Sequence, residues 1–177
     1  GVNSSTQPRL RLLGTLDRPT EGSVMIDGVD TSKMNPDKLA QIRNRNIGFI
    51  FQSYNLINRT TVLRNLELPA MVRGITEESR RKRAYELLGL VGINELALRK
   101  PTSLSGGQQQ RVAVARALIN KPAIILADEP TGNLDSKTGA DIFNLLRKLC
   151  RDKEATIIVV THNLELAKKF DIIFEIK

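Results

Sequence analysis

Two uninterrupted apolar runs, Ala123 to Ala127 and Thr156 to Val160, constrain the fold of this 177-residue chain more than any other feature. Both are strand-sized and neither alternates polar with apolar residues, so each reads as a strand buried on both faces. Between them Ile142, Phe143, Leu145, Leu146 and Leu149 recur at helical spacing and mark one apolar helix face. Strand, amphipathic helix, strand is the repeating unit of a parallel sheet, so the fold class predicted is α/β with a mainly parallel sheet. Ile47 to Phe51 reads as another strand, ending at Gln52. A short last strand is predicted over Ile172 to Ile176, after a helical stretch from Leu164 to Lys169. Near the start, Ser23 to Ile26 and Val29-Asp30 flank Asp27-Gly28, a strong hairpin signal.

From about residue 54 to 108 the pattern turns helical and charged. This stretch is expected to form a helical subdomain inserted into an α/β core of about 1–53 and 109–177, the whole being one domain. Thr76 is the expected N-cap of a helix from Glu77 to Leu90, and Gly92 its stop.

The formal charge is +8, from 27 Lys+Arg against 19 Asp+Glu. The one basic cluster, Arg80 to Arg83, follows Glu77 and Glu78 at the spacing of solvated helical ion pairs, so nucleic acid is not an expected partner. No apolar run approaches the roughly 20 residues needed to cross a bilayer, and no signal peptide is visible. Work at a membrane would therefore need spanning parts from another chain. The single cysteine, Cys150, falls on an apolar helix face and reads as a buried thiol of a reducing compartment.

The run Ile124-Ile125-Leu126-Ala127 ends abruptly in Asp128-Glu129. Strand C-termini of a parallel sheet open onto the ligand crevice, where two acids are costly unless a cation or a reaction uses them. Asp128 is expected to hold Mg²⁺ through its waters, and Glu129 to orient or deprotonate an attacking water. The competing reading has both acids cap the next helix, since Pro130 follows. Ser105-Gly106-Gly107-Gln108 opens a helix predicted to run to about Asn120. Ser105 can cap it, and the two glycines let an anion approach N–H groups at the positive end of the helix dipole.

Five strings stand in one order: Phe49-Ile50-Phe51-Gln52, Leu104-Ser105-Gly106-Gly107-Gln108, Ile124 to Glu129, Asn133-Leu134-Asp135, and Val160-Thr161-His162. Together they resemble the Q-loop, signature, Walker B, D-loop and switch histidine of the nucleotide-binding domain of ABC transporters, a P-loop NTPase-like fold. The resemblance covers nearly the whole chain. It implies an ATPase using ATP and Mg²⁺, in which two such domains sandwich two nucleotides head to tail, most simply as a homodimer. Ser105, Gly106, Gly107 and Gln108 would then close on the γ-phosphate held by the other domain. Gln52 would touch Mg²⁺ or the lytic water and couple the site to a membrane-spanning permease subunit. Glu129 and His162 would be catalytic, His162 at the γ-phosphate, and Asp135 would tie the two sites together. The implied location is cytoplasmic, peripheral on the inner face of the cell membrane. Thr15 to Thr20, Phe51 to Leu56, Asn65 to Pro69 and Ala127 to Asp135 further resemble the lipoprotein-release, macrolide-export and cell-division branch.

One family element has no match. A phosphate loop, G-x-x-x-x-G-K-[ST], is expected just before Leu12-Leu13-Gly14. That place holds Gly1 to Arg9, with no second glycine, and no lysine precedes Lys33. No Walker A residue is assigned, the strands preceding it are expected to be absent, and the chain's own nucleotide site is expected to be broken. An uncovered sheet edge would lower monomer stability or recruit another chain. Because Gln52, Glu129 and His162 all remain, an active template whose N-terminal part is missing or altered is preferred. The alternative is a degenerate, non-hydrolysing domain that serves as a binding or structural module. A chromosome-organising or DNA-repair ATPase is disfavoured, because the interval from Gln52 to Leu104 lacks sustained heptads.

Overall fold

The structure, a computed structural model, describes residues 13–17, 22–26 and 28–174. The expected place of the phosphate loop, Asp27 of the hairpin, and Glu175 and Ile176 of the last predicted strand lie outside these residues.

The hairpin pairs β1 (Met25–Ile26) with β2 (Val29–Asp30), antiparallel, with Ile26 opposite Val29. There follow α1 (Pro36–Asn46), β3 (Ile47–Phe51), α2 (Val62–Val72), α3 (Glu77–Leu90) and two 3₁₀ turns, Asn94–Leu96 and Pro101–Ser103. The chain continues with α4 (Gly106–Leu118), β4 (Ile124–Asp128), α5 (Ser136–Asp152), β5 (Thr156–Val160) and α6 (Leu164–Ala167).

Local chemistry sets most helix ends. Asn35, Thr61, Ser105 and Asp135 each accept an N–H three residues on, satisfying donors that a helix start leaves free. Thr76 stands at the predicted cap of α3, but its hydroxyl donates to Ser79 Oγ instead of accepting a backbone N–H. Gly92 stops α3 as expected: at φ +71° its N–H reaches Gly89 O, and Ile93 N–H reaches Leu88 O.

The sheet is parallel, in the order β3-β4-β5, with Phe51, Asp128 and Val160 in register at its C-terminal edge. Buried α4 lies against β3 on one side and α2 and α3 on the other, with Val112 to Ala115 fully covered. It crosses so closely that a Cβ at Gly48 would overlap the Ala117 carbonyl. On the same sheet face, Ile50, Ile125 and Ala127 pack with Leu146, Leu149 and Cys150 of α5. The opposite face gathers Ile47 and Leu126 with Ile26 of the hairpin. Burial pushes the Cys150 thiol up to about 11, so it acts as a packing group.

Three predicted boundaries move. The β4 strand starts at Ile124 and includes Asp128. The α4 helix ends at Leu118, short of Asn120, whose side-chain N–H groups reach Asn44 O and Pro69 O at 3.0 and 3.1 Å. The α6 helix ends at Ala167 rather than Lys169. A fourth prediction is corrected: Ile172 to Phe174 form no strand and are exposed. Apolar character alone does not make a strand; the backbone needs a ladder partner, and none of the described residues supplies one.

Candidate functional site

Parallel register puts three strand ends side by side, and each delivers one predicted residue. Gln52 follows β3, Glu129 follows β4, and Thr161-His162 follow β5. Neighbouring strands lie about 4.8 Å apart, so the three groups stand along one edge within about 10 Å.

Glu129 occupies the left-handed region at φ +43°, a conformation a non-glycine residue keeps only when its surroundings hold it. Its N–H donates to Val160 O at 2.9 Å, and its C=O accepts from Gly132 N–H at 3.0 Å. The carboxylate is held on both oxygens. Oε1 accepts from His162 N–H and lies 2.6 Å from His162 Nδ1, while Oε2 accepts from Thr161 Oγ1 at 3.0 Å. The Glu129 side chain is 16% exposed and that of His162 84%. With Nδ1 turned to Glu129, Nε2 is the ring atom left to meet a ligand.

Gln52 is tied to the loop after β4 by a reciprocal pair. Its Nε2 donates to Asn133 Oδ1 at 3.1 Å, and Asn133 Nδ2 donates to Gln52 O at 3.0 Å. Its amide oxygen is then the atom left for a cation or a water. With the Asp128 carboxylate at the neighbouring strand end, the donors here are hard oxygens. Among the described residues no three His, Cys, Asp or Glu groups converge to hold a metal by themselves. A site of one carboxylate, an amide oxygen and waters suits Mg²⁺, which keeps waters and takes further oxygens from phosphates.

Ser105 caps α4 in a reciprocal box: its Oγ accepts from Gln108 N–H at 3.3 Å, and Gln108 Oε1 accepts from Ser105 N–H at 2.9 Å. The exposed Ser105 hydroxyl keeps its own proton to donate. Both glycines have a packing reason as well as the predicted anion-binding one. A Cβ at Gly106 would lie 2.9 Å from Tyr54 Oη and 3.3 Å from Leu134 Cδ2; one at Gly107 would lie 2.6 Å from Thr138 Cγ2. The helix start thus rests on the Asn133–Asp135 loop and the first turn of α5. Exposed Asp135 caps α5, and the Thr138 hydrogen bonds hold its carboxyl below the usual range. Ser105 and Asp135 are both exposed, on elements that approach each other at Gly106–Leu134 and Gly107–Thr138.

Several contributors were not singled out from the sequence. Thr161 is bonded to Glu129, and Arg116 of α4 donates to the carbonyls of Tyr54 and Asn55, which stand at φ +60° and +49°. Burial pushes the Arg116 guanidinium down and the Tyr54 phenol up. Gln110 is fully buried on α4. Its signal was available: a polar residue spaced three, four and seven positions from Ala113, Val114 and Ala117, on an apolar helix face.

The profile of the ABC transporter family matches residues 9–132, more than half of the chain. The chain belongs to the ABC transporter family. It is 55% identical over 168 residues to an uncharacterized ABC transporter ATP-binding protein of Thermotoga maritima, covering 95% of this chain and 71% of that protein. It is 50% identical to the lipoprotein-releasing system ATP-binding protein LolD of Syntrophus aciditrophicus, over 89% of this chain and 71% of LolD. To the macrolide export ATP-binding/permease protein MacB of a Shewanella species it is 49% identical, over 95% of this chain and 26% of MacB. Among solved structures it superposes with TM-score 0.82 on a dimeric post-hydrolysis state of the ATP-binding cassette MJ0796 bound to ADP and Pi. That likeness is 49% identical and covers 92% of this chain and 72% of the cassette. Fold class and family therefore agree with the sequence reading, and no helix among the described residues is long and apolar enough to cross a membrane.

Proposed function

We propose that the chain is the ATP-binding, ATP-hydrolysing subunit of an ABC transporter, working at the inner face of a cell membrane with a membrane-spanning permease. The observation that carries this reading is the Glu129 carboxylate, held left-handed at a strand end between Thr161 and His162 and beside Gln52. A carboxylate so fixed takes or orients the proton of a water attacking a phosphorus atom. His162 Nε2 meets the γ-phosphate. Asp128 and the Gln52 amide oxygen would hold Mg²⁺, whose charge would offset that of the phosphate oxygens.

The exposed Ser105 and Asp135 are presented to a second copy, head to tail. There the Ser105 hydroxyl and the first N–H groups of α4 supply an anion site at a positive helix end. Residues 54–108 form the helical subdomain in this reading, inserted between core segments 1–53 and 109–177. A dimeric arrangement is described for the MJ0796 cassette, and the names of LolD and MacB join an ATP-binding part to release or export.

Equilibrium titration of the protein with Mg-ATP tests the reading, with Asp128→Asn as control. Saturable micromolar binding that the variant weakens, followed by phosphate release, would rule out the degenerate reading. No saturable binding would leave only the rival reading, a module that lends its signature surface without a nucleotide of its own.

A further inference from the structure

Gln110 lies in the second turn of α4 and is fully buried. Its Nε2 donates to Pro130 O at 2.6 Å, while its Oε1 is buried without a hydrogen-bond partner. A buried amide with half its capacity unused is costly, and the return visible for it is the Pro130 contact.

Pro130 directly follows Glu129. The turn from Glu129 to Gly132 is closed by the Gly132 N–H on Glu129 O, and Gln110 grips it at the next carbonyl. A residue at φ +43° relaxes toward commoner backbone angles when such restraints are removed. The carboxylate then leaves the place where Thr161 and His162 receive it.

We propose that Gln110 is a positioning residue for Glu129, its amide fixing the turn that aims the lytic carboxylate. Through it, the helix that presents Ser105 to a partner's nucleotide is joined rigidly to this chain's own hydrolytic edge. Arg116, further along the same helix, holds the Tyr54 and Asn55 carbonyls next to the Gln52 turn, so one rigid element grips both loops. The inference rests on Glu129 acting at the lytic water, as proposed above.

The test uses the full chain and Gln110→Met, which keeps length and loses the donor. ATP turnover is expected to fall about tenfold to a hundredfold in kcat, with KM for ATP within about twofold. His162 is the chain's single histidine, so its imidazole proton resonance reports on the Glu129 contact without overlap. That resonance should move in Gln110→Met at fixed pH. In Gln110→Glu, a buried carboxyl facing a carbonyl stays protonated and donates in place of the amide, so most of the loss is restored. Unchanged kcat and an unmoved resonance in Gln110→Met overturn the proposal. So does an equal loss in both variants that follows their loss of folded protein. If the unsubstituted chain hydrolyses no ATP, the functional reading fails, and the imidazole resonance still decides the link from Gln110 to Glu129.

Discussion

Replacing Asn65 by leucine removes a side chain of similar size from a fully buried position on α2. Asn65 Oδ1 accepts from Ile57 N–H at 2.7 Å, and its Nδ2 donates to Ile57 O at 3.2 Å and Thr61 O at 2.9 Å. It thereby replaces a strand partner for the loop that follows the Gln52 turn. Each such bond is worth about 1 kcal/mol net, so three amount to about 3 kcal/mol. Thr61 O keeps the Asn65 backbone N–H as a donor, and Ile57 is 46% exposed, so part of the loss is recovered by water. The expected destabilisation is therefore about 2–3 kcal/mol, or about 5–10 °C in Tm for a chain of this size. Asn65→Asp should cost at least as much, because a carboxylate would face two carbonyl oxygens. Urea unfolding gives both values, and hydrogen exchange at the Ile57 amide reports the loop itself. A Leu variant within about 0.5 kcal/mol of the parent, or an Asp variant more stable than the Leu variant, would refute the reasoning.

Gly107→Ala should destabilise by about 1–2 kcal/mol, since the new methyl meets Thr138 Cγ2 while alanine repays part of the cost through helix propensity. Adding Thr138→Ser, which deletes that methyl, should restore most of it in the same unfolding assay. Glu154 occupies φ +54° at the end of α5, where Ala155 N–H reaches Cys150 O, so Glu154→Gly should stabilise by about 0.5–1 kcal/mol by thermal unfolding. Asp135 has a depressed carboxyl because Thr138 donates to it, so its stabilising effect is present above the ordinary carboxylate range and is lost as pH falls through the folded value. Asp135→Asn should flatten that part of the acid limb in a stability-versus-pH series; an unaltered limb would show that the cap carries no linkage.

Strand and helix identities were legible because their signals are local. The apolar runs of β4 and β5 need burial whatever lies beside them, and Ser105 and Gly92 mark helix ends by chemistry within a few residues. The acids closing the first run and the histidine closing the second were likewise visible as polar groups at the open ends of buried strands. Ile172 to Phe174 were misread because a strand requires a ladder, which hydrophobicity does not supply.

What the sequence determined alone was the family, the three strands of the parallel sheet with the helix between the last two, and which residues stand at their ends. The tertiary structure decided what those residues touch. Gln52 meets Asn133, 81 positions away, and Glu129 meets His162, 33 positions away, because parallel register brings their strand ends to one edge. Gln110 reaches Pro130, and Arg116 reaches the Tyr54 and Asn55 carbonyls, because a helix of small residues can lie close against β3. Such partners depend on crossover geometry and on distances of a few ångströms, set when the core closes, and no local pattern encodes them.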